Sequence, residues 1–567
     1  MAKVHILHGR SIPRSPTLQV RLGKETKTMA SGTIVKDIIP THVGGALVVA
    51  ALLGQKPVAL DTPLVADCTI TPLTTAHWEG RRILGRSAGL VVLESLRRLW
   101  PNLVARMGTG HGRTQVIELE QAPPLPLSEM ARLLSHEVHS VIKEDLEIRK
   151  ELWLVEEAIG MFEDRKWTDA ASILRIRREN TVSLVACGNT YALAMGPTLI
   201  STAALSDLKI SSTSKHLTID LGSNDFRKST GMTKAAEASE NSMPVAHRQW
   251  MDGMEIRTLG DFGRMCINGQ VTQLIRVSEG FQEKRLSQIA DKISANRDRT
   301  KMVAVAGPSS SGKTTFLRRL NIQLQINGLN PVGISLDNYY VDREKTPKDA
   351  EGEYDFETID ALDLELLQTH VRDLLERKAV KTARFNFKEG KSFPNGGPTI
   401  QLAPGDVLVM EGIHGLNPKL MGDIPKPGSV FRIFIHPATN LAVDRLSRVS
   451  ATDLRLIRRI VRDRHHRGYS AAENIMRWPS VQAGEQKHIF PFQAEADSVF
   501  DSSLIYELAV LKVYAERYLL EVPQDHPAYP TAYRLRLLID QFISIYPDQV
   551  PAVSLLREFI GGSSFDY

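Results

Sequence analysis

Met302-Val-Ala-Val-Ala-Gly307-Pro-Ser-Ser-Ser-Gly312-Lys-Thr-Thr315 is the stretch whose reading decides the fold of the carboxyl-terminal half. An apolar strand runs into Gly307-x-x-x-x-Gly312-Lys313-Thr314, and Phe316, Leu317, Leu320, Ile322 and Leu324 then follow at helical spacing. Glycines at both ends let the backbone curl so that successive N–H groups, and the positive end of the new helix, surround a polyphosphate. In this arrangement the lysine reaches the outer phosphates and the hydroxyl after it ligates Mg²⁺. Residues Gly307, Pro308, Ser309, Ser310, Ser311, Gly312, Lys313, Thr314 and Thr315 therefore read as a site for a nucleoside triphosphate, with ATP and Mg²⁺ as the cofactors implied.

Working outward, strand and helix patterns alternate at 302–306, 315–327, 332–336, 361–377, 407–411, 431–435 and 438–448. Alternation of this kind predicts an α/β domain with a mainly parallel sheet and helices on both faces. Such sheets bind ligands beyond the carboxyl ends of their strands, so the loops after 306, 335 and 411 should share one cleft. An amphipathic helix over 278–296 leads into this domain, which is read as spanning 276–567 with a helical extension at its end. Residues 1–60 read as a small strand-rich unit: Leu18-Gln-Val-Arg-Leu22 alternates, Gly23 starts a turn, and Val35–Ile39 begins a short helix. From 61 to 225 helices (85–99, 127–143, 150–162) mix with strands (116–119, 182–186), an α+β pattern. The interval 226–275 is weakly periodic and reads as a linker with some structured pieces.

Bulk properties bound the rest. At 567 residues the chain is long enough for about three or four domains. Its 42% hydrophobic and 24% charged content is that of a soluble globular protein. No apolar run reaches membrane-span length and the opening residues lack the apolar core of a signal peptide, so a cytoplasmic protein without membrane contact is expected. Cys68, Cys187 and Cys266 are too scattered for a disulfide framework or a zinc knuckle. A net charge of +5 is too small to imply nucleic acid by itself. Its distribution is uneven, however, with Arg445, Arg448, Arg455, Arg458, Arg459, Arg462, Arg464 and Arg467 crowded together.

Three features around the loop choose between hydrolysis and transfer to a small molecule. Asp337, at the end of Ile334-Ser-Leu-Asp337, stands where a carboxylate can accept the proton of an attacking hydroxyl. Glu411 ends the apolar strand Val407-Leu-Val-Met-Glu411, a place suited to an Mg²⁺ ligand. His414 nearby reads as structural. The Arg455–Asp463 segment has helical spacing, with Arg455, Arg459 and Arg462 along one face, where converging guanidinium groups would neutralise a phosphoryl group in transfer.

With these residues in view, most of 300–510 resembles the uridine kinase family, a sister group of the phosphoribulokinases. Gly307–Thr315, Ser335-Leu-Asp-Asn-Tyr-Tyr340, Tyr354-Asp355-Phe356, Glu411-Gly412-Ile413 and Arg455–Asp463 carry the likeness. The resemblance implies ATP and a nucleoside as partners, Asp337 as base for the ribose 5′-hydroxyl, and Asp355 holding the ribose hydroxyls beside Arg459. It implies nucleoside contacts at Tyr340 and Phe385 as well, and a lid whose Arg462 and Arg467 close over the phosphates. The family's pyrimidine-reading Tyr-Asp-Phe-x-x-His motif is replaced by Phe385-Asn-Phe-Lys-Glu-Gly390, and two further base-reading positions correspond to Tyr469 and Trp478. A pocket that loses its polar readers loses strong discrimination, so uridine as the preferred base does not follow.

The first half resembles the amino-terminal region of threonyl-tRNA synthetase: a ubiquitin-like β-grasp (TGS) module over 1–60, then an accessory domain marked by Gly85-Arg-Ser-Ala-Gly-Leu-Val-Val-Leu-Glu-Ser-Leu-Arg-Arg-Leu-Trp-Pro101. Where that family edits mischarged tRNA with His-x-x-x-His and Cys-x-x-x-His pairs, this chain has Arg86 and Leu90, then Cys187 and Tyr191, so neither metal nor editing is expected. His136 and His139 read as surface residues. The whole layout, with the tail Leu556-Arg-Glu-Phe-Ile-Gly-Gly-Ser-Ser-Phe565, resembles bacterial multidomain nucleoside kinases. An RNA- or ribosome-associated NTPase is the alternative that the first half suggests. That half is open to RNA or a small ligand as partner, and the chain to self-association.

Overall fold

The computed structural model describes residues 16–566 other than 112, 223–250, 252, 349–351, 353, 423, 425–427 and 439–440. Most of the interval 226–275 expected to be a linker thus lies outside the described residues, as do residues 1–15.

The first sheet is built from β1 (Thr17–Leu22), β2 (Glu25–Ala30), β3 (His42–Val43), β4 (Ala46–Leu53), β5 (Lys56–Val58) and β6 (Cys68–Thr74). Its order is β2-β1-β6-β4-β3, with β5 also on β4, and β1 runs parallel to β6 while the other pairs are antiparallel. The alternation at Leu18 and Val20 turns both inward. β4, Ala-Leu-Val-Val-Ala-Ala-Leu-Leu, is apolar without alternation because both its faces are covered. Val48 and Ala51 face the small core of this unit, whereas Leu47, Val49 and Leu52 enter the core of the next. The sheet runs on past residue 60 through β6.

The second unit contains α1 (Trp78–Leu99), β7 (Ala105–His111), β8 (Thr114–Leu119), α2 (Leu127–Lys143), β9 (Ile148–Leu154), α3 (Val155–Asp164), α4 (Thr168–Arg175), β10 (Thr181–Cys187), β11 (Thr190–Leu193), β12 (Lys209–Ser212) and β13 (Leu217–Asp220). Two antiparallel sheets, β12-β13-β8-β7 and β11-β10-β9, pack with its helices. The helix expected over 150–162 begins only at Val155. Its first residues are taken by β9, which pairs along its whole length with β10.

Next come α5 (Leu259–Ile267), α6 (Val271–Ala295), β14 (Met302–Ala306), α7 (Lys313–Ile326), β15 (Asn330–Ser335), α8 (Leu364–Leu375), two short hairpin-like pairs (β16 Val380–Lys381 with β19 Thr399–Ile400, and β17 Arg384–Asn386 with β18 Lys391–Phe393), β20 (Asp406–Glu411) and β21 (Val430–His436). The chain ends in α9 (Ala451–His466), α10 (Ala471–His488), β22 (Ser498–Asp501), α11 (Glu507–Leu520), α12 (Tyr529–Ile539) and α13 (Arg557–Ile560). A five-stranded sheet of order β15-β20-β14-β21-β22 is parallel throughout. In β14, Val303 and Val305 face one apolar core, while Met302 and Ala304 face another, which explains a strand apolar at every position. Among the described residues, no helix is long and apolar enough to cross a membrane.

The helix expected over 438–448 is not formed at 441–448, and α9 starts at Ala451 instead. Tertiary contacts explain the loss. Asp444 accepts hydrogen bonds from the N–H groups of Leu446 and Ser447 in its own turn and from Leu193 N–H of β11. Leu446 enters the second unit's core, so close to Gly89 that a methyl there would lie 2.9 Å from it. Arg445 stacks on Trp167, and Arg448 makes two bonds to Glu118 (2.8 and 2.9 Å).

A buried ionic network strengthens the same junction. Arg534 of α12 bonds both oxygens of Asp453 (2.8 and 2.9 Å) and both oxygens of Glu79 (2.9 and 2.7 Å), and Arg82 bonds Asp453 at 2.7 and 3.1 Å. Burial would push the Asp453 carboxyl up, yet Arg534 and Arg82 hold it below the usual carboxylate range. Removing Arg534 alone leaves buried Glu79 without its ion-pair partner and Asp453 with Arg82 only. Arg534→Met is expected to cost about 3–5 kcal/mol in denaturant unfolding. A loss below about 1 kcal/mol would mean the network is not the clamp proposed.

Candidate active site

The loop after β14 needs its glycines for identifiable reasons. A Cβ on Gly307 would stand 2.1 Å from the Ile435 carbonyl oxygen. Gly312 has φ of +89° and Leu555 packed against it, at 2.6 Å from where a Cβ would be. Lys313 Nζ folds back over the loop and donates to the carbonyls of Gly307 (2.9 Å) and Pro308 (3.2 Å).

Turning amides inward turns carbonyls outward, and two buried arginines receive them. Arg455 donates to the Ser309 carbonyl at 3.1 Å and pairs doubly with Glu485 (2.5 and 2.7 Å). Arg458, fully buried, reaches the Ser310 and Ser311 carbonyls (3.3 and 3.4 Å) and pairs with Glu507 at 2.7 and 3.0 Å. Arg455 was expected in a row facing phosphate with Arg459 and Arg462; it is instead locked beneath the loop. The loop also meets two carboxylates. Ser309 N–H donates to Glu485 (3.0 Å), and Thr315 donates to Glu558 through both N–H (3.1 Å) and hydroxyl (2.8 Å).

The remaining arginines face the crevice. Arg459 donates to the Ser309 hydroxyl (3.1 Å) and to Asn474 (3.0 Å). Arg459, Arg462 and Arg467 lie 3.5, 2.7 and 3.8 Å from one buried carboxylate, Asp463. Three cations on one anion leave positive charge to spare. Burial lowers the pKa of Arg459 and of Arg467 from the ordinary guanidinium value.

Facing them is an acidic wall. Ser335 pairs with Glu411 and Val305 also pairs with Glu411, so the phosphate loop, Asp337 and Glu411 leave from one edge of three neighbouring parallel strands. Burial pushes the Glu411 carboxyl up to about 7; Asp337 raises it further, Lys313 pulls it down, and Glu558 raises it. Glu411 therefore feels both Asp337 and Lys313 within a single crevice. Asp337, Glu411 and Glu558 bring hard carboxylate oxygens, the kind a divalent cation takes, to the same crevice as Lys313.

On the other flank, buried Tyr340 donates to the Phe356 carbonyl (3.1 Å) and lies among the rings of Phe356, Phe385 and Phe387, with centroids 5.7–6.3 Å away. Asp355 accepts from Glu357 N–H (3.0 Å), and its other oxygen is 3.9 Å from His488. The acid lying deeper is Glu357, which the sequence reading passed over. The two acids are neighbours in a turn closed by that Glu357–Asp355 bond, and their order in the sequence does not say which of them is buried. Glu357 Oε2 is buried without a hydrogen-bond partner. Burial and then Glu485 push its carboxyl up to about 8, against the pull of Arg459 and Lys313. His414 is buried, and pushed down to about 4 by burial and His488, which suits a neutral structural ring. Trp478, aligned with a base-reading position, lies wholly in the core under Arg455; Tyr469 instead carries Arg477 over its ring.

Comparison with known proteins agrees with this geometry. Residues 302–505 match the model of the Phosphoribulokinase / Uridine kinase family. The uridine kinases of Staphylococcus aureus strains JH9 and Newman are 29% identical over 182 residues, covering 32% of this chain and 77% of theirs. A solved structure described as a possible uridine kinase from Bacillus stearothermophilus aligns at 16% identity with a TM-score of 0.26, covering 38% of this chain and 100% of that one. The family match and the sequence relatives support a kinase of the nucleoside or sugar type in the carboxyl-terminal half.

Glu357 yields a pH test. Its carboxyl ionises near 4.5 when exposed and near 8 in the fold, so the folded state holds the extra proton between these values. Stability attributable to this group is intact below about 4.5 and is lost as pH rises through 8. Glu357→Gln should therefore raise the melting temperature relative to wild type at pH 8.5 and make little difference at pH 4.5. Equal shifts at both values would show that the carboxyl is not held protonated.

Proposed function

We propose that this chain transfers a phosphoryl group from Mg-ATP to the 5′-hydroxyl of a nucleoside. One observation carries the reading: Lys313, Asp337 and Glu411 leave adjacent parallel strands into one crevice, opposite an arginine helix with unspent positive charge. Phosphoryl transfer asks mainly for positioning and charge stabilisation, and these residues offer both.

In this reading the loop amides and Lys313 hold the donor's phosphates. Lys313 exchanges its two carbonyl bonds for phosphate oxygens, and Arg462 with Arg467 leaves Asp463 to close over the transferred group. Asp337 takes the proton of the attacking hydroxyl. Thr314 and Glu411 would hold Mg²⁺, which when bound supplies positive charge across the donor phosphates. Arg459 and protonated Glu357 orient the sugar hydroxyls, with Asp355 supporting Glu357 from behind.

The base is read by stacking. Polar groups on that flank are committed internally: the Tyr340 hydroxyl to Phe356, Asn386 to the N–H groups of Lys388 and Glu389, and Arg343 to the Phe387 carbonyl. Aromatic faces attract any base, so a nucleoside panel scored for monophosphate should give turnover with both pyrimidines and purines, within about tenfold of one another in kcat/KM.

The β2-β1-β6-β4-β3 order with β1 parallel to β6 supports a TGS-like β-grasp unit at the amino terminus, followed by a synthetase-accessory-like unit. A second reading, an NTPase whose nucleotide state is passed to an RNA-binding first half, draws on the bonds of Arg82 and Arg534 to Asp453 at the start of the arginine helix. Phosphate release stimulated by tRNA, with no nucleoside monophosphate formed, would favour it. For the kinase, Asp337→Asn should lower kcat by about 10²–10⁴ with substrate KM values little changed. Turnover close to wild type would end the assignment of the base.

A further inference from the structure

Two acids reach the phosphate loop from later parts of the chain, and they are held differently. Glu485 accepts the Ser309 N–H but is fixed by both arms of Arg455. Glu558, 243 residues beyond Thr315, accepts both the N–H and the hydroxyl of that residue through one oxygen. It forms no ion pair among the described residues, and Glu411 feels it as a like charge.

Position along the loop gives this contact its meaning. In a phosphate loop the lysine serves the outer phosphates, while the amides of the helix's first turn serve the phosphate nearest the nucleoside. Thr315 N–H is an amide of that first turn in α7. A carboxylate bound there stands in for phosphate oxygens, at the end of the loop where a nucleotide's sugar would begin.

The backbone that brings Glu558 does not leave easily. Ser554, Leu555, Leu556, Phe559 and Ile560 are buried, the last four of them in the main core. Arg557 donates to the carbonyls of Pro547, Val550 and Gly561. Leu555 covers Gly312, and His465 of the arginine helix lies 3.4 Å from the Phe559 carbonyl. Only the Glu558 side chain is free to exchange.

We propose that Glu558 determines donor specificity, as a resident competitor for the loop amide that a nucleotide's innermost phosphate needs. This rests on the reading of Gly307–Thr315 as the donor site. A nucleoside di- or triphosphate must displace the carboxylate or share the amide with it. Inorganic tripolyphosphate and pyrophosphate, held by Lys313 and the earlier amides, need not. The tail thus weakens nucleotides selectively and narrows the gap between ATP and inorganic donors.

The test is calorimetric binding of Mg-ATP, Mg-ADP, Mg-tripolyphosphate and Mg-pyrophosphate to the full chain, as wild type, Glu558→Gln and Glu558→Ala, with melting curves to verify folding. Gln keeps a neutral acceptor for Thr315, and Ala removes it. ATP and ADP should bind about tenfold or more tighter to both variants, while the inorganic ligands change by less than about threefold. Unchanged or weaker nucleotide binding would overturn the proposal, as would equal tightening of all four ligands. Because binding is read without turnover, a chain that binds ATP but phosphorylates no nucleoside would sink the kinase assignment while leaving this result intact.

Discussion

Arg458 is the residue on which the site depends most. A loop that turns its amides toward a ligand must find partners for the carbonyls on its other side, and this guanidinium meets two of them while bonded to Glu507 and the Ser502 carbonyl. Its charge is entirely out of water, so the pairing must be complete to be tolerable. Loop, α9, the turn after β22 and α11 are thereby held in one arrangement. Arg455 repeats the device one helical turn earlier, bringing in α10 through Glu485. The preorganised geometry is the work of α9, and α9 is in turn anchored at its first turn by Arg534 and Arg82.

What the sequence revealed follows how local each feature is. The phosphate loop is legible because strand, glycines, lysine and helix are contiguous. Asp337 and Glu411 are legible because each ends an apolar strand, and parallel sheets gather such ends along one edge. Periodicity cannot tell a guanidinium facing the ligand from one facing a carbonyl beneath it, so Arg455 was misassigned. Glu558 and the 444–448 turn were invisible for a stronger reason: each acts on residues far away in the chain. Glu357 lay in plain view, and burial alone distinguishes it from Asp355.

In the amino-terminal half, buried polar groups are matched to one another, and Arg86 donates to the Pro197 carbonyl. Cys187 is a buried thiol pushed up to about 12 by its surroundings and by Glu94. Glu94 is itself engaged by Arg97, Arg98 and Thr190. Glu94 thereby ties α1 to β11. β4, with one face in each of two cores, joins the first unit to the second as firmly as a strand can.

The turn at Asp444–Arg448 has a mechanical consequence. It forms a docking peg whose leucine sits in a neighbour's interior and whose arginines are matched to Trp167 and Glu118. Cutting the chain between the two units would leave one piece with an exposed apolar side chain and the other with an unfilled socket, so each half owes part of its folded stability to the other.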